Sequence, residues 1–217
     1  MIKINKSEEP ICLEGVRNNP NATYESLSLD VDCNKEVRQL LHDDQKGLCA
    51  YCQRIFESKI FIEHYIAQAD NDRGRELQLS YSNFLGACSG KYYLDRKKGN
   101  KILFCSVNRG NSTLTINPES QSDIDTLSYD EESRIKSTNT IYQNELDTIL
   151  NLNFDDLCLD RQITFNEELK VIQETAIQMG LSPLETYSKA IKSVTLRNPE
   201  FSGFLLYRLN NLLNYHS

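Results

Sequence analysis

Four of the seven cysteines fall into two pairs that bracket the other residues able to do chemistry. Cys49 and Cys52 form a C-x2-C step within GLCAYC, and Cys88 and Cys105 follow with sixteen residues between them. Zinc takes four soft thiolate or imidazole ligands in a tetrahedron, and a C-x2-C turn presents two of them without strain, so two pairs suffice for one structural site. The alternative is that Cys88 and Cys105 are small buried core residues beside an isolated knuckle, because free cysteine is among the most buried residue types. Cys12, Cys33 and Cys158 stand alone and read as buried thiols. Between the two pairs lie Glu63-His64, in the run FIEHY, and Asn83. Of the histidines His42, His64 and His216, only His64 adjoins a carboxylate at the end of an expected strand. A single histidine is more often structural than catalytic, and it is the framing by a knuckle, a carboxylate, an asparagine and a basic loop that marks this one.

These residues need elements to hold them. A chain of 217 residues, 39% hydrophobic and 25% charged, can bury a substantial core. Residues 1–33 show little periodicity and read as an arm packed on the body. Asn34 to Lys46 places Val37, Leu40 and Leu41 at helical spacing, with Gly47 as the stop. Leu48 to Tyr65 alternates around a turn at Glu57-Ser58-Lys59 and predicts a β-hairpin whose first strand starts in the cysteine knuckle. Ser82 to Ala87 fits one helical turn, and Leu114 to Ile116 a short strand. Residues 119–140 form an acidic linker. From residue 141 the period changes to 3.6, and Ile141–Leu152, Leu157–Met179, Pro183–Val194 and Pro199–Leu213 predict helices. The class expected is α+β: a core over 34–118 followed by a helical region over 141–217.

Charge and cysteine usage bound the setting. The formal net charge is −7, yet from Cys88 to Asn111 the basic residues Lys91, Arg96, Lys97, Lys98, Lys101 and Arg109 face only Asp95. Arg96, Lys97, Lys98, Lys101 and Arg109 are therefore candidate phosphate contacts. From Glu119 to Lys170 thirteen acidic residues stand against four basic ones, a stretch that repels nucleic acid and suits a basic protein partner. No apolar run approaches the length of a membrane span, and the start MIKINKSEEP lacks the apolar stretch of a signal peptide, so no membrane partner and a cytoplasmic location are expected. In a reducing compartment seven cysteines favour metal ligands and buried thiols over a disulfide framework.

The runs GLCAYC, FIEHY, SYSNFLGAC and CSVNRGNSTLTINP resemble the HNH endonucleases, and more closely the HNH component of Septu-type anti-phage systems and of related retron effectors. The resemblance covers roughly residues 37–118 and extends only in general character to the helical remainder. It implies a zinc-stabilised ββα-metal nuclease core in which Cys49, Cys52, Cys88 and Cys105 bind structural zinc. It further implies that Glu63 helps hold a catalytic Mg²⁺ or Mn²⁺, that His64 is the general base, and that Asn83 braces the hairpin. The implied partners are nucleic acid, either DNA or an RNA such as tRNA, and an ATPase docked through the C-terminal helices. Such chemistry answers the difficulty of the reaction. A phosphodiester repels a nucleophile, its leaving oxygen must be stabilised, and an imidazole is matched to proton transfer near pH 7. Two departures from the family pattern stand out: Tyr65-Ile66-Ala67 follows the histidine where a proline is usual, and Ser106 follows the last cysteine where His or Asn is usual. Asn111 is the expected substitute ligand, with Asn108 and Asp95 as alternatives. A weak or inactive zinc-stabilised nucleic-acid-binding or adaptor subunit is the competing reading.

Overall fold

The arm expected over the first thirty residues is a folded layer. The computed structural model describes residues 1–57, 59–90, 93–94 and 99–216. Helices α1 (Ile11–Arg17), α2 (Tyr24–Leu29) and α3 (Val31–Asp44) follow one another, and the Asp30 side chain caps α3 by accepting from the Cys33 amide at 3.1 Å. Cys33, Val37 and Leu41 recur every fourth residue, so one face of α3 turns inward and packs with Leu13 and Leu27. Cys12 and Cys33 are joined by a disulfide, with Cα atoms 5.5 Å apart. This corrects the expectation of lone thiols: the two cysteines stand on helices that share one small core, which a reading based on compartment alone does not register.

Strand β1 (Phe61–His64) pairs with β2 (Phe84–Ala87), not with the knuckle. Between them lie α4 (Asn71–Glu76) and a 3-10 turn at Tyr81–Asn83. The hairpin expected over Leu48–Tyr65 therefore reduces to one isolated bridge, Leu48 to Ile55, which closes the cysteine loop. Buried Gln45 occupies the place a strand partner would take: its amide donates to the Leu48 and Gly86 carbonyls at 2.8 Å each and accepts from the Gly86 amide at 2.6 Å. Short strands β3 (Tyr93–Leu94) and β4 (Lys101–Ile102) form a second antiparallel pair before α5 (Cys105–Arg109).

The acidic stretch is folded as well. It holds α6 (Gln121–Ile124) and a hairpin of β5 (Leu127–Tyr129) and β6 (Ile135–Ser137), with Asp130 accepting from the Glu132 and Arg134 amides across its turn. No strand forms at Leu114–Ile116, because the buried Glu145 carboxylate takes the Thr115 and Ile116 amides at 2.8 and 2.9 Å. Helix α7 (Thr140–Asn144) runs on into a π-helical turn at Glu145–Ile149, and α8 (Asp155–Met179), α9 (Pro183–Arg197) and α10 (Ser202–Tyr215) complete the chain. A capping box of Ser182 and Glu185 with Pro183 at the first position starts α9, and Gly180 in the left-handed conformation ends α8. Phe204, Leu205 and Leu209 of α10 are buried in the core that also contains the four paired cysteines. The apolar face of α10 thus closes the protein's own interior. The class is α+β, and among the described residues no helix is long and apolar enough to cross a membrane.

Candidate metal centre and strand site

Chain folding brings the two cysteine pairs to one point. The Sγ atoms of Cys49, Cys52, Cys88 and Cys105 all lie within 4.8 Å of one another, at 3.9 Å for Cys49 and Cys105 and 3.7 Å for Cys52 and Cys88. A tetrahedral zinc with Zn–S bonds of about 2.3 Å has sulfur edges of roughly 3.8 Å, so the donor set and its spacing fit that ion. All four are buried. Burial pushes the Cys52 and Cys105 thiols well up, while at Cys49 it is outweighed by hydrogen bonds from Cys105, Cys52 and Cys88 that hold the thiol low. A divalent cation neutralises this sulfur cluster and removes the conflict.

The long spacing of the second pair is handled by Gly90 and by the helical half. Gly90 has φ +60°, and a Cβ there would stand 2.1 Å from the Phe104 carbonyl oxygen, so only glycine lets the chain cross next to Cys105. The Cys105 amide donates to the Leu150 carbonyl at 2.9 Å, just past the π-helical turn. The knuckle is braced likewise: the Phe201 amide donates to the Gln53 carbonyl at 2.9 Å, the Gly203 amide to Gln53 Oε1 at 2.9 Å, and Arg54 pairs with Asp160 at 2.7 Å and Glu200 at 3.3 Å.

Adjacent strand residues point to opposite faces, and the contacts of Glu63 and His64 follow that rule. His64 turns toward α2, with its ring edge-on to Tyr24 and Phe84 at 4.6 and 5.1 Å, and is 9% exposed. Its Nε2 lies 3.0 Å from the Gln78 carbonyl oxygen, an acceptor only, so Nε2 carries the proton and Nδ1 is the ring's acceptor nitrogen. Burial lowers the His64 pKa, against the hydrogen bond to Gln78, and keeps the imidazole neutral near pH 7. Asn83 is buried, accepts from the Ile66 amide at 2.8 Å and donates to the Ile66 carbonyl at 3.1 Å, and so ties the chain leaving β1 to the turn entering β2.

Glu63 faces the cysteine side, where Arg109 meets it in an ion pair. Arg109 is 2% exposed and donates to the Ser112, His64 and Tyr65 carbonyls at 2.8, 2.8 and 2.6 Å. This corrects its assignment as a phosphate contact: the guanidinium is an internal clamp that joins α5 to the end of β1. Burial pushes the Glu63 carboxyl above its ordinary range, opposed by the Arg109 cation. Asn111 is exposed, and Asn108 donates to the Thr148 and Ile149 carbonyls at 2.9 and 3.0 Å at the π-helical turn. Among the described residues Glu63 is thus paired with Arg109, Asn108 is engaged at the π-helical turn and Asn111 is exposed, so these three expected ligands of a catalytic Mg²⁺ or Mn²⁺ make no contact with one another. Among the described residues only the cysteine group brings three or more metal-binding side chains together. Lys101 is exposed on β4, whereas Arg96, Lys97, Lys98 and the alternative ligand Asp95 lie outside the described residues.

Sequence reasoning missed Gln78, Tyr24 and Gln45, whose roles depend on chain crossings without a local signal. The Arg109 clamp had one: an arginine four residues after a buried cysteine ligand sits where α5 must face the core. Compared with protein-family models and with curated proteins, the chain matches none.

Proposed function

We propose that this chain is an HNH-type endonuclease that hydrolyses nucleic-acid phosphodiester bonds, serving as the nuclease effector of an anti-phage defence complex with a partner ATPase. The observation that carries the reading is the geometry of His64: a buried imidazole at the end of β1, its Nε2–H held by the Gln78 carbonyl, on a strand pair that leads at its other end into the zinc-type cysteine cluster. In this mechanism Nδ1 of His64 takes the proton of the attacking water while Nε2–H stays on the Gln78 carbonyl, which keeps the ring oriented through the reaction. Asn83 holds the backbone on which the ring stands. Cys49, Cys52, Cys88 and Cys105 would hold a zinc ion as its four ligands, and an ion so held would contribute folding energy and no step of the hydrolysis.

A second reading rests on the Glu63–Arg109 pair, which takes up the expected ligand of a catalytic ion: a zinc-stabilised nucleic-acid-binding or adaptor subunit without catalysis. Incubation with labelled DNA and tRNA in the presence of Mg²⁺ or Mn²⁺, with and without an ATPase encoded beside the gene, decides between them. Cleavage that requires His64 supports the nuclease. Intact nucleic acid under every condition defeats it and leaves the second reading.

A further inference from the structure

Arg109 is withdrawn from the surface, and of the other basic candidates only Lys101 is among the described residues. A cleft of about 530 Å³ lies between α3 and the approach to β1, and its walls include Asn34, Lys35, Arg38, His42 and Lys59. Glu57 is the one carboxylate among its lining residues. Lys35 and Lys59 are exposed, the latter 5.4 Å above the Phe61 ring at the start of β1. Arg38 is oriented by Asn34, whose Oδ1 accepts from Nε at 2.6 Å, yet its Nη1 is buried with no hydrogen-bond partner. A buried guanidinium nitrogen without an acceptor is rare because it loses water and gains nothing in return. Here it marks a donor for which the described residues supply no acceptor.

The α3 wall of the cleft and His64 share one core: Val37 and Leu41 of α3 pack with Phe84, and the His64 ring lies edge-on to Phe84.

We propose that this cleft is a phosphate-binding site that seats the sugar-phosphate backbone of a nucleic acid through Lys35, Arg38 and Lys59. The choice of nucleic acid over other polyanions rests on the endonuclease reading; the anion site itself rests on the cleft. Backbone phosphates suit it because three cations in an open groove neutralise charge without reading bases.

The test is fluorescence anisotropy with a labelled oligonucleotide, single-stranded and duplex, across a KCl series without Mg²⁺ or Mn²⁺, using the zinc-loaded full chain carrying His64→Ala. Each cation removed from a phosphate contact should lower the slope of log K against log salt by about 0.7–0.9 and weaken binding roughly five- to eight-fold at about 0.1 M salt. The variants are Lys35→Gln/Lys59→Gln, whose side chains are exposed and bear no fold, and Arg38→Gln. Lys170→Gln/Lys192→Gln, on α8 and α9, is the control and should change nothing. A parent that does not bind, or cleft variants that keep the parent's slope, overturn the proposal. A parallel cleavage assay of the chain with His64 intact, with Mg²⁺ or Mn²⁺ present, separates the two readings: cleft-dependent binding without cleavage there removes the nuclease reading alone, and cleavage there with unaltered binding in the cleft variants removes the cleft alone.

Discussion

Replacing Arg109 with leucine keeps the apolar stem and deletes every donor that clamps α5 to β1. Glu63 then holds a carboxylate with a side chain only 15% exposed and without its cationic partner, and the carbonyls of His64, Tyr65 and Ser112 lose theirs. Removing one member of a buried ion pair costs about 3–5 kcal/mol. For a chain of this length each kcal/mol moves the melting temperature by about 2–4 °C, so the expected fall is roughly 6–20 °C. Thermal unfolding followed by far-UV circular dichroism, with zinc present throughout, measures it. Adding Glu63→Gln should recover part of the loss, because the uncompensated charge is then gone and the two changes are not additive. The oligonucleotide salt slope should stay where it was, since an interior guanidinium releases no counterions. An Arg109→Leu protein that melts within about 2 °C of the parent and shows a flatter salt slope would refute the clamp and return Arg109 to the surface.

Two further outcomes follow from the same geometry. The parent should carry one zinc per chain, and Cys52→Ser should lose it and with it the yield of folded protein, checked by metal analysis of the purified chain; full zinc occupancy in that variant would show that the four sulfurs do not act together. Because burial holds the His64 pKa below its ordinary value of about 6.5, the unfolded chain binds this proton more readily than the native one. Stability from this group is therefore intact above about pH 6.5 and declines as pH falls toward the lowered native value; His64→Gln should flatten the slope of melting temperature against pH in that window, and an unchanged slope would count against a neutral buried imidazole.

What could be read from the sequence was what short-range pattern encodes. The 3.6 period placed α8, α9 and α10 within a few residues of their ends, and Pro183 marked the first turn of α9 because its missing amide is harmless there. C-x2-C marked half of the sulfur cluster. The partner of β1 was not legible, since Phe84 to Ala87 is buried on every residue and lacks the alternation of a half-exposed strand. Nor was the use made of Arg109, counted as positive charge until its five hydrogen-bonded partners were placed around it. The acidic stretch misled for a related reason: side-chain charge suggested a solvated linker, whereas Asp123 and Asp130 spend theirs on amides of local turns.

The central claim is that His64 is the base of a phosphodiester hydrolysis. Its most direct test is the single-turnover cleavage rate of His64→Ala against the parent, on labelled DNA and on tRNA, with Mg²⁺ or Mn²⁺ and the partner ATPase present and with melting temperature and zinc content matched. Loss of a general base predicts a rate lower by roughly 10²- to 10⁴-fold. A His64→Ala chain that cleaves as fast as the parent would contradict the account.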